Sequence, residues 1–354
     1  MNRSQPTSVA ELAEAVRSAP RVIVIGAGTK PAMARVSEEF MRVSTARLSG
    51  IVEYEPSEFT FTALAGTPVK EIAAALAERG QYLPFDPPLA DAGATLGGTV
   101  AAGLSGPGRL RFGGLRDFIL GVRFVDGEGR LLRMGGRVVK NAAGFDLPKF
   151  FVGSVGRFGV LAEMTFKVFP RRAAMRTLLL DGSEPAAKAR IFSEAACGRW
   201  EIDALDAPAN DGGVLVRLAA PETALEALAK EIFARWPGQA LGEEEGRATW
   251  RGTTEFGWAH ADGTLVKVVL TPEAVPEFCA RVNAARGVRG WLSAGGNVGY
   301  LSVPRGAALP MMDWAAVTLR GDAALWPGTK PRFEVLRAVK AALDPKNRFP
   351  DLDE

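Results

Sequence analysis

Histidine occurs once in the 354 residues, at His260, and cysteine twice, at Cys197 and Cys279. Two cysteines so far apart exclude a disulfide framework, and with it an iron–sulfur cluster or a cysteine-based zinc site within the chain. A single histidine excludes a multi-histidine metal centre, so no metal site is expected. No apolar run approaches the ~20 residues that a membrane-spanning helix needs. The first residues, M-N-R-S-Q-P-T-S, lack the apolar core of a secretory signal, which makes the cytoplasm the expected compartment. Charge of one sign is also missing: 43 basic and 40 acidic residues leave a net charge of +3. They are interspersed, with no Lys/Arg-rich run and no basic–aromatic pattern, so nucleic acid is not an expected partner.

What is present is a large apolar complement, 47% of residues, with 23% charged, as in a soluble globular protein of about two domains. Glycine loops crowd the first half, whereas all seven tryptophans lie in the second, from Trp200 to Trp326. The break falls near Phe169-Pro170-Arg171-Arg172. It divides the chain into 1–170, 171–325 and a closing helix and tail, 326–354.

Ser8 and Glu11 stand in capping-box spacing ahead of Val9, Leu12, Ala13 and Val16, which predicts a helix that Pro20 stops. Val22–Ile25 reads as a buried strand running into Gly26. Thr67-Pro68 is expected to cap a second helix carrying Val69, Ile72 and Leu76, closed by Gly80. Strands from Phe118 to Val125 and from Arg130 to Met134 flank Asp126-Gly127-Glu128-Gly129, a hairpin signal. Val160, Ala162, Met164, Phe166 and Val168 alternate with polar residues, as in a half-buried strand. Beyond 171, strand-like runs at 175–180, 213–218, 264–270 and 299–303 alternate with helical runs at 222–236 and 272–285. The segment 238–257, polar and turn-rich, is expected to be a loop. A last helix is expected near 332–343.

The stretch 92–106, A-G-A-T-L-G-G-T-V-A-A-G-L-S-G, offers almost no side-chain chemistry. Glycine lacks a Cβ and allows positive φ, so such stretches stand where backbone approaches a ligand or other backbone. Four more glycine loops accompany it, at 26–30, 65–67, 113–114 and 153–159, and successive backbone N–H groups in such loops suit phosphate oxygens. None matches G-x-G-x-x-G, because Pro31 stands where the third glycine would be, and none matches the Walker A pattern. A large phosphate-bearing cofactor laid across several loops is expected.

Residues 8–170 resemble the FAD-binding domain of the vanillyl-alcohol-oxidase/PCMH flavoproteins. The runs F-D-P-P-L-A-D-A-G-A-T-L-G-G-T-V-A-A-G-L-S-G-P-G-R-L-R-F-G-G-L-R-D (85–117) and V-V-K-N-A-A-G-F-D-L-P-K-F-F-V-G-S-V-G-R-F-G-V-L (138–161) are similar, within that group, to the FAD-binding subunits of bacterial glycolate oxidases. The resemblance implies an α+β fold: a PCMH-type FAD-binding domain of two α/β subdomains and a smaller α+β cap domain. It implies that Gly26, Gly28, Thr29 and Lys30 form the first phosphate loop. Pro87, Gly93, Thr95, Gly97, Gly98 and Gly103 would line the pyrophosphate and ribityl path. Arg116 and Asp117, then Lys140, Asn141, Gly144 and Asp146, match further family motifs. Gly153, Ser154, Gly156, Gly159 and Val160 match an element near the adenine and flavin. Two departures stand out: Ala102-Gly103-Leu104-Ser105 lacks the Asn of T-N-A-G, and Val155, Arg157 and Phe158 replace Glu, Thr and Leu of G-S-E-G-T-L-G.

Relatives that attach FAD covalently use His or Cys beside the first loop. Neither occurs there, so FAD is expected to be held non-covalently. Oxidising a 2-hydroxy acid needs a cation for the carboxylate and a base for the hydroxyl proton. The relatives' H-x-G-D-G-N-x-H-like motif has its nearest counterpart in Ser293–Tyr300, without either histidine, leaving Tyr300 and His260 as the catalytic candidates. The resemblance implies a complex with a larger flavoprotein subunit and an iron–sulfur subunit. In that complex the larger subunit performs most of the oxidation of glycolate to glyoxylate, and peripheral membrane association stays open. Two alternatives stay open as well: a self-sufficient FAD-dependent 2-hydroxyacid dehydrogenase, and a non-catalytic scaffold that kept the fold. The D-P-x-x-x-F-x-P-like tail ending at Phe349-Pro350 is expected to pack on the FAD domain.

Overall fold

Helix Val9–Ser18 begins where the Ser8 hydroxyl accepts from the Glu11 N–H at 3.2 Å. The Glu11 carboxylate reaches back as in a capping box: it engages the backbone N–H of Ser8 and accepts from that of Thr7 at 2.8 Å. The computed structural model describes residues 3–136, 146–330 and 334–353. They form two compact units, one from the described residues within 1–104, 114–171 and 331–354, the other from 105–113 and 172–330.

In the first unit, strands Arg3–Ser4, Met41–Ser44 and Val22–Ile25 make a parallel sheet in that order. Leu12 and Val16 of the helix are buried with Val22, Val43, Val125 and Val160 in one core. A second, antiparallel sheet has the order Ile51–Glu55, Thr60–Leu64, Val160–Lys167, Ile119–Val125, Leu131–Gly135. The expected hairpin is there, with Val125 opposite Leu131, and the Asp126 carboxylate accepts from the N–H groups of Glu128 (3.0 Å) and Arg130 (2.9 Å). Strand Val160–Lys167 is not half-buried. It lies centrally in the sheet, so Leu161 and Thr165 are buried along with Ala162, Met164 and Phe166. Helix Val69–Ala77 forms, but Pro68 occupies the cap position and makes no side-chain bond. The Thr67 hydroxyl turns back instead to the carbonyls of Leu64 and Gly50, at 2.7 and 3.1 Å.

The closing helix, Glu334–Leu343, leads into a tail belonging to this unit. Phe349 is buried in the core with Leu12 and Val16, and the Val22 N–H donates to the Arg348 carbonyl at 2.7 Å. The fully buried Asp344 carboxylate accepts from Lys340 Nζ (2.9 Å) and from the N–H groups of Arg348 (2.9 Å) and Phe349 (3.0 Å). Gly127 lies directly against it: a Cβ there would stand 2.1 Å from Asp344 Oδ1. Gly127→Ala is therefore expected to cost about 2 kcal/mol or more, by overpacking and by disturbing a buried ion pair. Chemical denaturation of the two proteins checks this, as a lower midpoint at unchanged slope.

The second unit is built on an eight-stranded sheet. Its order is Gly238–Ala240, Ala174–Leu180, Val214–Ala220, Ala204–Pro208, Arg289–Ser293, Val298–Val303, Thr264–Val269, Ala316–Arg320, and every neighbouring pair is antiparallel. Helices Pro185–Cys197, Glu222–Arg235 and Val275–Ala284 contribute Ile191, Phe192, Leu225, Ile232, Phe278 and Val282 to a single core with the strands. The segment 238–257 is not a loop. It supplies the edge strand Gly238–Ala240 and the helix Glu243–Thr254, with Glu243, Glu244 and Glu245 in the first turn, where the helix dipole favours acid. That helix buries Trp250 with Ala204 and Leu215 in a separate, smaller cluster, and the Trp250 indole donates to the Thr177 hydroxyl at 3.0 Å. Its other face is solvated, which is why its composition looked loop-like.

Candidate functional site

The stretch 92–106 holds a helix that its composition did not announce. Thr95 accepts from the Gly98 N–H at 3.3 Å to start helix Leu96–Ala102, and Gly103, at φ +61°, ends it. The first of the two central glycines serves close packing: the Gly97 N–H donates to the Ala65 carbonyl at 2.8 Å, and a Cβ on Gly97 would lie 2.8 Å from that of Ala65. The helix thus presses against the end of strand Thr60–Leu64. Its other flank, with Gly98 and Ala101, helps to wall a cavity of about 260 Å³, which opens beside the end of strand Val22–Ile25.

The first loop, from Gly26 through Ala34, forms one side of this cavity, and residues Ser154 to Gly156 with Gly159 form another. Gly28 and Gly156 adopt φ of +74° and +70°. A Cβ on Gly28 would meet no atom within 4 Å, so its backbone is open to a ligand. Lys30 lines the cavity while only 8% exposed, donates to the Thr29 hydroxyl at 2.9 Å, and makes no ion pair among the described residues. Burial away from water holds its ammonium down to about 8. A desolvated cation beside open glycine backbone fits a pyrophosphate, whose charge would offset the cost of burying the amine.

Of the residues expected to bind the cofactor, Gly26, Gly28, Thr29, Lys30, Thr95, Gly97, Gly98, Ser154, Gly156 and Gly159 line this cavity. Pro87, Gly93, Arg116, Asp117 and Asp146 do not. Arg116 and Asp117 lie exposed on a short 3₁₀ turn, Leu115–Asp117, and Asp146 caps helix Leu147–Phe150. Gly103 and Gly153 act one layer behind the cavity: a Cβ on Gly103 would stand 3.0 Å from the Gly153 Cα. Val160 is buried in the core as the first residue of its strand. Lys140, Asn141 and Gly144 lie outside the described residues.

The second unit holds the two catalytic candidates. His260 is half-buried, with Nε2 at 2.8 Å from the Gly287 carbonyl, so that nitrogen carries the proton. Tyr300 is buried edge-on to Phe256, with ring centroids 5.0 Å apart, and burial raises its hydroxyl far above the usual range although Arg109 opposes this. Strand pairing sets Trp291, Tyr300 and Lys267 side by side on one sheet face. Lys267 is held down to about 8, first by burial and then by the charge of Arg109. The motif counterpart Ser293–Tyr300 is a hairpin whose turn puts Ala294, Gly295 and Gly296 at φ of +54°, +64° and +84°. Asp206 holds that turn, accepting from Ser293 Oγ (2.9 Å), the Ala294 N–H (3.1 Å) and Trp291 Nε1 (3.0 Å). Complete burial lifts its carboxyl to about 6 in spite of these donors.

Sequence reasoning passed over Asp206, Arg109 and Lys267. The available signal was the alternation itself: Lys267 interrupts the apolar run of Thr264–Val269, and Asp206 that of Ala204–Pro208.

A family profile described as FAD binding domain matches residues 4–135. Among solved structures, an alkyldihydroxyacetonephosphate synthase superposes over 98% of this chain and 75% of its own at a TM-score of 0.69, with 16% identity. The class of fold follows: that of the PCMH-type FAD-binding flavoenzymes. Glycolate oxidase subunit GlcE of Escherichia coli K12 is 36% identical over 267 residues, 74% of this chain and 72% of that one. Glycolate oxidase subunit GlcD of Bacillus subtilis is 31% identical over 132 residues, but the match spans only 28% of its length. A D-2-hydroxyglutarate dehydrogenase of Xanthomonas citri is 29% identical over 168 residues, 35% of its length. The chain belongs to the GlcE family of FAD-binding oxidoreductase flavoproteins.

Proposed function

We propose that this chain is the FAD-holding subunit of a complex that oxidises glycolate to glyoxylate, and that it passes electrons to a larger flavoprotein subunit and an iron–sulfur subunit. The observation that carries the reading is Lys30, a buried ammonium on the wall of a glycine-lined cavity that makes no ion pair among the described residues. Lys30 and the N–H groups of the first loop would balance the pyrophosphate, with Ser154 and Gly156 on the adjoining wall. Among the described residues no His or Cys lines the cavity, which supports a cofactor held without a covalent bond. Bound FAD supplies an acceptor for the electron pair that leaves a 2-hydroxy acid.

The second unit is poorly furnished as a base. The Nε2 of its one histidine is engaged by the Gly287 carbonyl, and Asp206 is taken up by three donors. This is the reason to assign substrate deprotonation to the partner subunit. One observation favours the second reading, a self-sufficient 2-hydroxyacid dehydrogenase: Lys267, Arg109 and Tyr300 gather two cations and a hydroxyl that would hold a substrate carboxylate.

The absorption spectrum of the purified, FAD-reconstituted chain, before and after glycolate, separates the readings. A flavin spectrum that glycolate alone bleaches only slowly is expected. Rapid bleaching would establish the second reading, and a chain that takes up no flavin would be a scaffold.

A further inference from the structure

Two segments that wall the cofactor cavity are joined by one buried side chain. Arg157 is 2% exposed, and its Nη1 donates to the Met33 carbonyl at 3.1 Å and to the Val155 carbonyl at 2.6 Å. Met33 lies in the turn Pro31–Ala34 that follows Lys30, and Val155 in the glycine loop; both residues line the cavity. The glycine loop hangs on the end of helix Leu96–Ala102, with the N–H groups of Gly153 and Val155 each 2.9 Å from the carbonyls of Val100 and Ala101. Val155 stands at φ +49°, a conformation that strains a β-branched residue and that its neighbours must hold in place.

Arg157 is anchored from the other side as well. Lys340 Nζ donates to the Arg157 carbonyl at 3.2 Å, to the Phe349 carbonyl at 3.1 Å and to Asp344 Oδ2 at 2.9 Å. Lys340 is 5% exposed and Asp344 fully buried, so the closing helix fixes this end of the loop through a desolvated, fully engaged ammonium. Burying a guanidinium is costly, and an apolar side chain would fill the space more cheaply. What the guanidinium adds is a single nitrogen, Nη1, held by a planar group, whose two N–H bonds reach one carbonyl in each segment.

We infer that Arg157, anchored by Lys340, is a positioning residue that sets the spacing of the two cavity segments and so governs how fast FAD leaves. This rests on the cavity being the FAD site. The Arg157 bonds tie the two segments to each other within the chain itself, so less ordering is charged against cofactor binding.

The test uses the full chain reconstituted with FAD, following the gain of free-flavin fluorescence after dilution, with the thermal midpoint of each apoprotein measured in parallel. Arg157→Met is expected to release FAD at least about tenfold faster, the loss typical of hydrogen bonds to a charged donor. Arg157→Lys, which keeps the charge but not the planar guanidinium, should fall between Arg157→Met and the unaltered chain. Lys340→Met should move release in the same direction. If Arg157→Met does not fold, Arg157→Lys carries the test. A variant set that melts lower but releases FAD at the unaltered rate overturns the inference. An unaltered chain that binds no FAD overturns the cofactor assignment instead.

Discussion

Replacing Gly26 with alanine is expected to weaken FAD binding by more than tenfold, although only one methyl group is added. The new Cβ would stand 2.4 Å from Thr95 Oγ1, a separation that van der Waals repulsion forbids. That hydroxyl cannot simply rotate away, because it accepts the Gly98 N–H that starts helix Leu96–Ala102. Losing such a cap costs about 1 kcal/mol, and here the freed N–H belongs to a residue of the cavity wall. The strand end and the helix start would therefore move apart where both wall the cavity. A double-mutant cycle isolates the cause. Thr95→Ala removes the obstacle along with the cap, so Gly26→Ala/Thr95→Ala should bind FAD more tightly than Gly26→Ala alone. Additive losses, read by flavin fluorescence titration, would show that the contact is not the reason.

This pair also shows what could be read from the sequence. Of the glycines expected at the cofactor, 26, 28, 97, 98, 156 and 159 line the cavity, 93, 103 and 153 do not, and 144 lies outside the described residues. Their separate roles were not legible. Gly97 makes room for Ala65 and Gly26 makes room for Thr95, whereas Gly28 leaves its space open. Which of these holds depends on neighbours distant in sequence. The helix within 92–106 was hidden for the same reason, since glycine opposes helix formation and only the Thr95 cap and packing on Ala65 secure it. Periodicity located most strands because alternation is a local signal. It failed for helix Glu243–Thr254, where one apolar anchor, Trp250, suffices to fasten an otherwise solvated turn-former. It also failed for Lys267 and Asp206, whose meaning comes from strands paired across the sheet.

The second large effect concerns pH. Lys30 has an ammonium held down to about 8 by burial. An unfolded chain would titrate it near the ordinary lysine value, so the fold without cofactor carries a destabilising charge below pH 8. That burden is relieved as pH rises above 8, and the apoprotein should grow more stable over that interval. FAD affinity should move the opposite way. A pyrophosphate beside Lys30 raises the ammonium's pKa again, so binding above pH 8 must take up a proton, and each further pH unit costs up to about tenfold in affinity. Between about pH 7 and about pH 9.5 the dissociation constant is expected to rise roughly thirtyfold. Lys30→Met should bind FAD more weakly at pH 7 and lose this dependence, and it should also lose the gain of apoprotein stability with rising pH. Titrations of both proteins across that range, with parallel denaturation curves, decide the matter. A Lys30→Met variant as steep in pH as the unaltered chain would place the titrating group elsewhere and remove Lys30 from contact with the phosphates.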